Sequence, residues 1–173
     1  MIAITSFRRC SDIQALRLGE GNVNVQKNGL FFIREGLAKQ DRPSHFGAKI
    51  FIPAFTENKL LDPKRALLHY LKQTESFRKS DSSRLFLAIS KPHNPVTVHT
   101  ISNWIVNTVK MAYDSNKSVK AHSTRALGPT WALFKGASMK SILESADWKR
   151  ESIFINFYLR KLDNADVCVL AKN

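Results

Sequence analysis

Val23-Asn24-Val25-Gln26-Lys27-Asn28-Gly29-Leu30-Phe31-Phe32-Ile33 reads as a β-hairpin. Val23 and Val25 alternate with Asn22 and Asn24, and the second run is aromatic and apolar. Asn28-Gly29 lies between two β-prone runs, a strong short-range hairpin signal because both residues of the favoured turn must tolerate positive φ. Lys49-Ile50-Phe51-Ile52 predicts a third strand, stopped by Pro53. Upstream, residues 11–18 predict a short helix capped by Ser11, with Gly19 and Gly21 ending it.

Beyond the strands the pattern turns helical. Asp62 is a capping residue, and Pro63 stands at the first helical position, where its missing N–H costs nothing. Leu67, Leu68, Tyr70 and Leu71 supply an apolar face. Leu85-Phe86-Leu87-Ala88-Ile89 predicts a short buried extended segment. Residues 97–113 place Ile101, Trp104, Ile105, Val109 and Ala112 at helical spacing. Ser123 starts a helix that Gly128-Pro129 is expected to kink or restart and Gly136 to end. Residues 138–146 and 151–162 predict two more helices, and 167–170 a terminal strand. Strands followed by helices make the expected class α+β, a small antiparallel sheet packed against a mainly helical body, in one domain over residues 1–173.

Composition narrows the partners. Apolar residues at 43% and charged residues at 24% exclude wholesale disorder. Twenty-seven Lys and Arg face 14 Asp and Glu, a net charge of +13 and a pI of about 10.0. That excess points to a polyanion, with double-stranded DNA the foremost candidate. No apolar run nears the ~18 residues of a membrane span, and no window forms a long basic amphipathic helix. The first nine residues lack the charged segment and apolar core of a signal peptide. Cys10 and Cys168 form no Cys-x-x-Cys, so both are expected as reduced thiols. His45, His69, His93, His99 and His122 fall into no ligand spacing, so neither metal nor cofactor is expected.

Four local groups carry chemistry. His122-Ser123-Thr124-Arg125 puts His and Arg three apart at a helix start, where free N–H groups attract phosphate. Arg8-Arg9-Cys10-Ser11-Asp12 offers planar guanidinium forks before a helix. Lys39, with Arg42 nearby, lies in the polar stretch between the second and third strands. Trp148 precedes Tyr158 by ten residues on the last predicted helix, where Phe154, Tyr158 and Leu162 recur every four positions. Each group alone reads as a solvated basic turn or an aromatic core stripe.

Their order along the chain resembles the catalytic domain of the tyrosine recombinases. The closer likeness is to the recombinases of DIRS-type and crypton-like eukaryotic mobile elements. It rests on Arg9-Cys10-Ser11-Asp12-Ile13-Gln14-Ala15-Leu16, on Leu85-Phe86-Leu87 with Lys91-Pro92-His93, and on Thr100-Ile101-Ser102-Asn103-Trp104-Ile105. Ala121-His122-Ser123-Thr124-Arg125-Ala126 and Asp147-Trp148 leading to Phe157-Tyr158-Leu159 complete it. The resemblance spans residues 3–162. It implies DNA breaking and rejoining without metal or cofactor, through a 3′-phosphotyrosyl bond. By that likeness Tyr158 is the nucleophile, and Arg9 and Arg125 bind the non-bridging phosphate oxygens. Lys39 is the general acid, with Lys49 or Arg42 the alternatives. His122 is acid/base or phosphate holder, and Trp148, where many relatives have a second histidine, donates its indole N–H. Asp12 orients the first arginine or its helix.

Relatives normally carry an amino-terminal core-binding domain. Only a few residues precede Arg9 here, so that domain is expected to be absent from the chain. The resemblance also implies a homo-oligomer on DNA and, for a eukaryotic element, a nuclear location, otherwise a cytoplasmic one. The rival reading is a DNA-binding module derived from such an enzyme that no longer cuts. RNA binding lacks its usual aromatic strand motif or Gly-x-x-Gly loop. Type IB topoisomerases share the chemistry but typically have Lys or Arg where His122 falls.

Overall fold

Alternation along the strands decides which face of the sheet is buried. Three antiparallel strands, β1 (Val23–Gln26), β2 (Gly29–Ile33) and β3 (Lys49–Pro53), pair in sequence order. Leu30, Phe32, Ile50 and Ile52 all point to one face and are buried to 1% exposure or less. Leu16, Leu67 and Leu85 close that core. On the other face Phe31 and Phe51 meet with ring centroids 4.5 Å apart. The computed structural model describes residues 1–33, 49–78, 84–112 and 118–160. Lys39, Arg42, His45, Cys168 and the expected terminal strand at 167–170 lie outside the described residues.

The hairpin forms, but not through the expected turn geometry. Val23 pairs with Phe32 and Gln26 with Gly29, so Lys27 and Asn28 make the turn. Among the described residues, positive φ falls on Phe7, His93, Asp147, Gly19, Gly21 and Gly136, and not on Asn28 or Gly29. Gly29 is needed for a different reason: a Cβ there would overlap the Ile52 carbonyl and the Phe51 ring.

Helices cover the sheet and build the rest. They are α1 (Ile2–Thr5), α2 (Cys10–Gln14), α3 (Pro63–Thr74), α4 (Val98–Ala112), α5 (Thr124–Phe134), α6 (Met139–Ala146) and α7 (Glu151–Phe157). Asp62 caps α3, its carboxylate accepting from the Arg65 N–H at 3.2 Å. Leu67 packs under the sheet, whereas Leu68, expected on that face, points outward. Leu85 and Leu87 are buried in an extended run, and Ile89 is exposed. Ile101 anchors α4 against Ala3, Ile13 and Val96.

Three helix boundaries differ from the sequence expectation. Ser11 does not cap α2; Arg9 stands at the cap, and the Asp12 carboxylate accepts the Arg9 N–H at 3.1 Å. α5 runs from Thr124 to Phe134 with Pro129 inside it, so of the two outcomes expected at Gly128-Pro129 the restart does not occur. α7 stops at Phe157 rather than at 162. The N–H groups of Tyr158 and Leu159 both converge on the Phe154 carbonyl, at 2.9 and 2.8 Å, which winds the chain out of helical register.

Gly128 is where α5 touches the amino terminus. A Cβ there would overlap the Ile4 carbonyl and the Phe7 ring. Alanine favours a helix over glycine by about 0.5–1 kcal/mol, but overpacking against backbone costs about 1–3 kcal/mol. Gly128→Ala is therefore expected to destabilise, read as a lower denaturation midpoint in urea at unchanged slope. A midpoint at or above that of the parent protein would show that α1 yields freely.

Candidate active site

Arg125 is the deepest charge in the site. Its side chain is 2% exposed, in the first turn of α5. Nη1 donates to the Phe7 carbonyl and Nη2 to the Ala146 carbonyl, each at 3.1 Å. Both carbonyls sit at sharp turns. Phe7 has φ 56°, and Ala146 is the last residue of α6, followed by Asp147 at φ 57°. A helix C-terminus ends in unbonded carbonyls and partial negative charge, so the guanidinium caps α6 from another helix. Asp12 adds a carboxylate at 4.0 Å. Burial and then Arg9 push the Arg125 pKa down, while Tyr158 and Asp12 oppose them. A guanidinium keeps its charge under such shifts.

Arg8 and Arg9 have separate tasks. Arg8 is 5% exposed; Nη2 donates to the Lys49 carbonyl at 3.0 Å, and Nη1 lies 3.4 Å from the Asp147 carboxylate. It thus ties β3 to the end of α6. Arg9 is half-buried, and its positive charge acts on both Arg125 and His122. A cavity of about 250 Å³ lies here, its walls including Arg8, Arg9, Ser11, His122, Thr124 and Arg125. Asp12 accepts the Arg9 backbone N–H.

Aromatic rings stack beside Arg125 and His122. Tyr158 stacks on Trp148 with centroids 4.5 Å apart, and Trp148 stacks on Phe154 at 5.4 Å. The Arg125 guanidinium carbon is 5.1 Å from the Trp148 ring centre and 5.6 Å from that of Tyr158, within cation–π range. His122, exposed at the rim, tilts toward Tyr158 at 5.6 Å. The Trp148 indole N–H is buried without a partner among the described residues. Thr130, 1% exposed on α5, donates its hydroxyl to the Tyr158 carbonyl at 3.3 Å and accepts the Arg160 N–H at 3.1 Å.

Five of the six residues expected from sequence thus meet: Arg9, His122, Arg125, Trp148 and Tyr158. Lys39 lies outside the described residues. Lys49 heads β3 with its side chain exposed. Two residues were not anticipated. Thr130 gave no sequence signal, because its partners lie 28 and 30 positions away. Arg160 follows Tyr158 by two, and its charge reaches His122. Among the described residues no group of His, Cys, Asp and Glu could hold a metal ion, and no helix is long and apolar enough to cross a membrane.

Comparison with solved structures places this architecture. XerA recombinase matches with a TM-score of 0.68 at 20% identity, over 99% of this chain and 56% of that one. XerH site-specific recombinase bound to palindromic difH substrate matches at 0.64 and 15% identity, over 98% and 43%. Tn1549 transposon integrase in complex with transposon right-end DNA matches at 0.63 and 14% identity, over 99% and 56%. The fold is that of the tyrosine recombinase catalytic domain. The chain spans about half the length of these proteins. No protein-family profile and no curated protein sequence matches it. The likeness therefore stands on the shared recombinase fold.

His122 has a pKa below the usual 6.5, first from partial desolvation and then from the charges of Arg125, Arg9 and Arg160. Its ring is therefore neutral at pH 7. The sign for stability follows: as pH falls through 6.5 the unfolded chain takes up the proton first, so stability drops until the folded ring also protonates. An NMR titration should place the His122 midpoint below 6.5, and Arg9→Gln should raise it. A midpoint at or above 6.5 would mean the three arginines do not act on the ring.

Proposed function

We propose that the chain breaks and rejoins DNA strands by tyrosine recombinase chemistry, with Tyr158 as nucleophile. The observation that carries this reading is the meeting of residues from four separate stretches around one basic cleft. A backbone phosphate enters between Arg9, His122 and Arg125. The Tyr158 oxygen forms a bond to phosphorus as the bond to the 5′-oxygen breaks, leaving a 3′-phosphotyrosyl link. Neutral His122 takes the phenolic proton, and a lysine supplies one to the leaving 5′-oxygen, Lys39 by position or Lys49 from β3. Arg9 and Arg125 balance the charge that grows on the non-bridging oxygens. The unpaired Trp148 N–H is a spare donor for the same oxygens. Asp12 and Arg8 hold the two ends of this arrangement without touching phosphate.

The context is part of the same proposal. The runs at Arg9–Leu16, Lys91–His93 and His122–Arg125 favour a recombinase of a DIRS-type or crypton-like element, acting in DNA integration. Such a protein works as a homo-oligomer on double-stranded DNA, in the nucleus of a eukaryotic host. The chain is the catalytic domain of that enzyme. Its +13 charge supplies a sequence-independent hold on DNA that weakens steeply with salt.

The experiment is incubation with a DNA carrying a 5′-bridging phosphorothiolate, which traps the covalent adduct. Wild-type protein should form it, in EDTA as well as in Mg²⁺, because two arginines provide the charge a metal would. Tyr158→Phe should form none while folding normally. Arg9→Lys keeps the charge but loses the planar fork, and should lower adduct formation by about two powers of ten with little change in DNA affinity. Adduct at wild-type level from Tyr158→Phe would remove Tyr158 from the mechanism. Tight DNA binding with no adduct from wild-type protein would leave the non-cutting DNA-binding module as the function.

A further inference from the structure

A nucleophile on a flexible tail reaches its target rarely, so what fixes the Tyr158 backbone matters as much as what surrounds its ring. α7 ends at Phe157, and Tyr158 itself has φ −123° and ψ −28°, outside the helix. Helical hydrogen bonding therefore holds only its N–H, which donates to the Phe154 carbonyl at 2.9 Å. The Tyr158 carbonyl and the Arg160 N–H both point to α5, where one hydroxyl serves them. Thr130 Oγ1 donates to Tyr158 O at 3.3 Å and accepts from Arg160 N at 3.1 Å. The hydroxyl uses donor and acceptor capacity together. Its side chain is 1% exposed, so the hydroxyl itself is screened from water.

The place of Thr130 on the helix gives the pair its meaning. It stands five residues after Arg125 on the same α5, a rigid element rising about 1.5 Å per residue. The helix therefore presents Arg125 to the cleft and Thr130 to the nucleophile's backbone at a fixed separation. Arg125 is itself gripped by Phe7 and Ala146, so the frame cannot slide. Trp148 sets the face of the Tyr158 ring at 4.5 Å, but stacking leaves rotation and sliding in the plane open. The Thr130 bonds close that freedom from the backbone side.

We infer that Thr130 is a positioning residue for Tyr158: its buried hydroxyl pins the Tyr158–Arg160 backbone to the helix that carries Arg125 and so sets the phenol against the arginine cleft. This rests on the recombinase reading for its catalytic consequence, but the pin itself is a property of the chain. Thr130 touches no substrate and acts only through Tyr158. The bond pattern also joins Arg160, whose charge reaches His122, to the same hydroxyl.

Two measurements test it together. The first is amide hydrogen exchange at Arg160, which needs no DNA and no activity. In the wild-type chain that amide should exchange at least about tenfold more slowly than in an unstructured peptide, although the Arg160 side chain is exposed. Thr130→Val, similar in shape but without the hydroxyl, should lose that protection, and Thr130→Ser should keep it. Unprotected exchange at Arg160 in the wild type overturns the inference even if the Val variant fails to fold. The second is the rate of adduct formation at saturating DNA. Misplacing a reacting group by about 1 Å can cost about a hundredfold, so Thr130→Val should slow the covalent step at least about tenfold. DNA affinity should stay within about twofold, and Thr130→Ser should recover most of the rate. Wild-type rate in the Val variant, an equal loss from Ser, or a loss confined to affinity would each overturn it. A wild-type protein that never forms the adduct would refute the recombinase reading instead, and the Arg160 exchange would still decide whether the pin exists.

Discussion

A guanidinium does not give up its proton, so burying Arg125 to 2% exposure commits the surrounding chain to supplying acceptors. Three separate parts of the fold supply partners for Nη1 and Nη2, while Nε has none among the described residues. The turn after α1 presents the Phe7 carbonyl, the end of α6 presents the Ala146 carbonyl, and α2 presents Asp12. Remove any of them and a buried charge loses a partner, a change that typically costs several kcal/mol. The positive φ at Phe7 and at Asp147 brings these carbonyls inward. Phe7 is a bulky residue in a region that costs about 1–2 kcal/mol for an L-residue. That strain sits beside the most buried charge, which is where the fold has most to gain from it.

The same cluster explains the state of the cleft. Arg9, Arg125 and Arg160 all act on His122, and Asp12 is the carboxylate that acts on Arg125. Cations held this close repel each other and depress the pKa of the histidine between them. Such an arrangement is costly to the free protein and becomes favourable when an anion enters. Under the proposed reading that anion is a phosphate whose oxygens meet the guanidinium forks. Trp148, Phe154 and Tyr158 stack beside Arg125, and the buried indole N–H has no partner among the described residues.

Much of this was legible in the residues. Alternation in Leu30 to Phe32 and in Ile50 to Ile52 marked the buried sheet face, and Asp62-Pro63 marked the start of α3. The boundaries that failed were those where distant groups compete with local rules. Asn28-Gly29 announced a hairpin correctly, but the glycine serves the Phe51 ring and the Ile52 carbonyl rather than a left-handed turn. Gly128-Pro129 was expected to kink or restart a helix, yet α5 carries on through it without a restart. Phe154, Tyr158 and Leu162 looked like one helical stripe, yet the helix ends before Tyr158, where the Leu159 N–H turns back to the Phe154 carbonyl and Thr130 binds the Tyr158 carbonyl.

What the sequence by itself determined is the class of fold and the order of the chemical residues along it. Periods of 2 and 3.6 residues report which face of an element is apolar, and capping and turn residues report where elements start. Those signals are local and survive without knowledge of neighbours. The tertiary structure alone decided that Arg8 is spent on tying β3 to the end of α6. It alone decided that Thr130 reaches Tyr158. The physical reason is range: the bond from Arg125 to Phe7 joins residues 118 positions apart, and that from Thr130 to Tyr158 joins residues 28 apart. A hydrogen bond has a fixed geometry in space but leaves no periodic trace in the chain, so only the folded packing brings its two ends together.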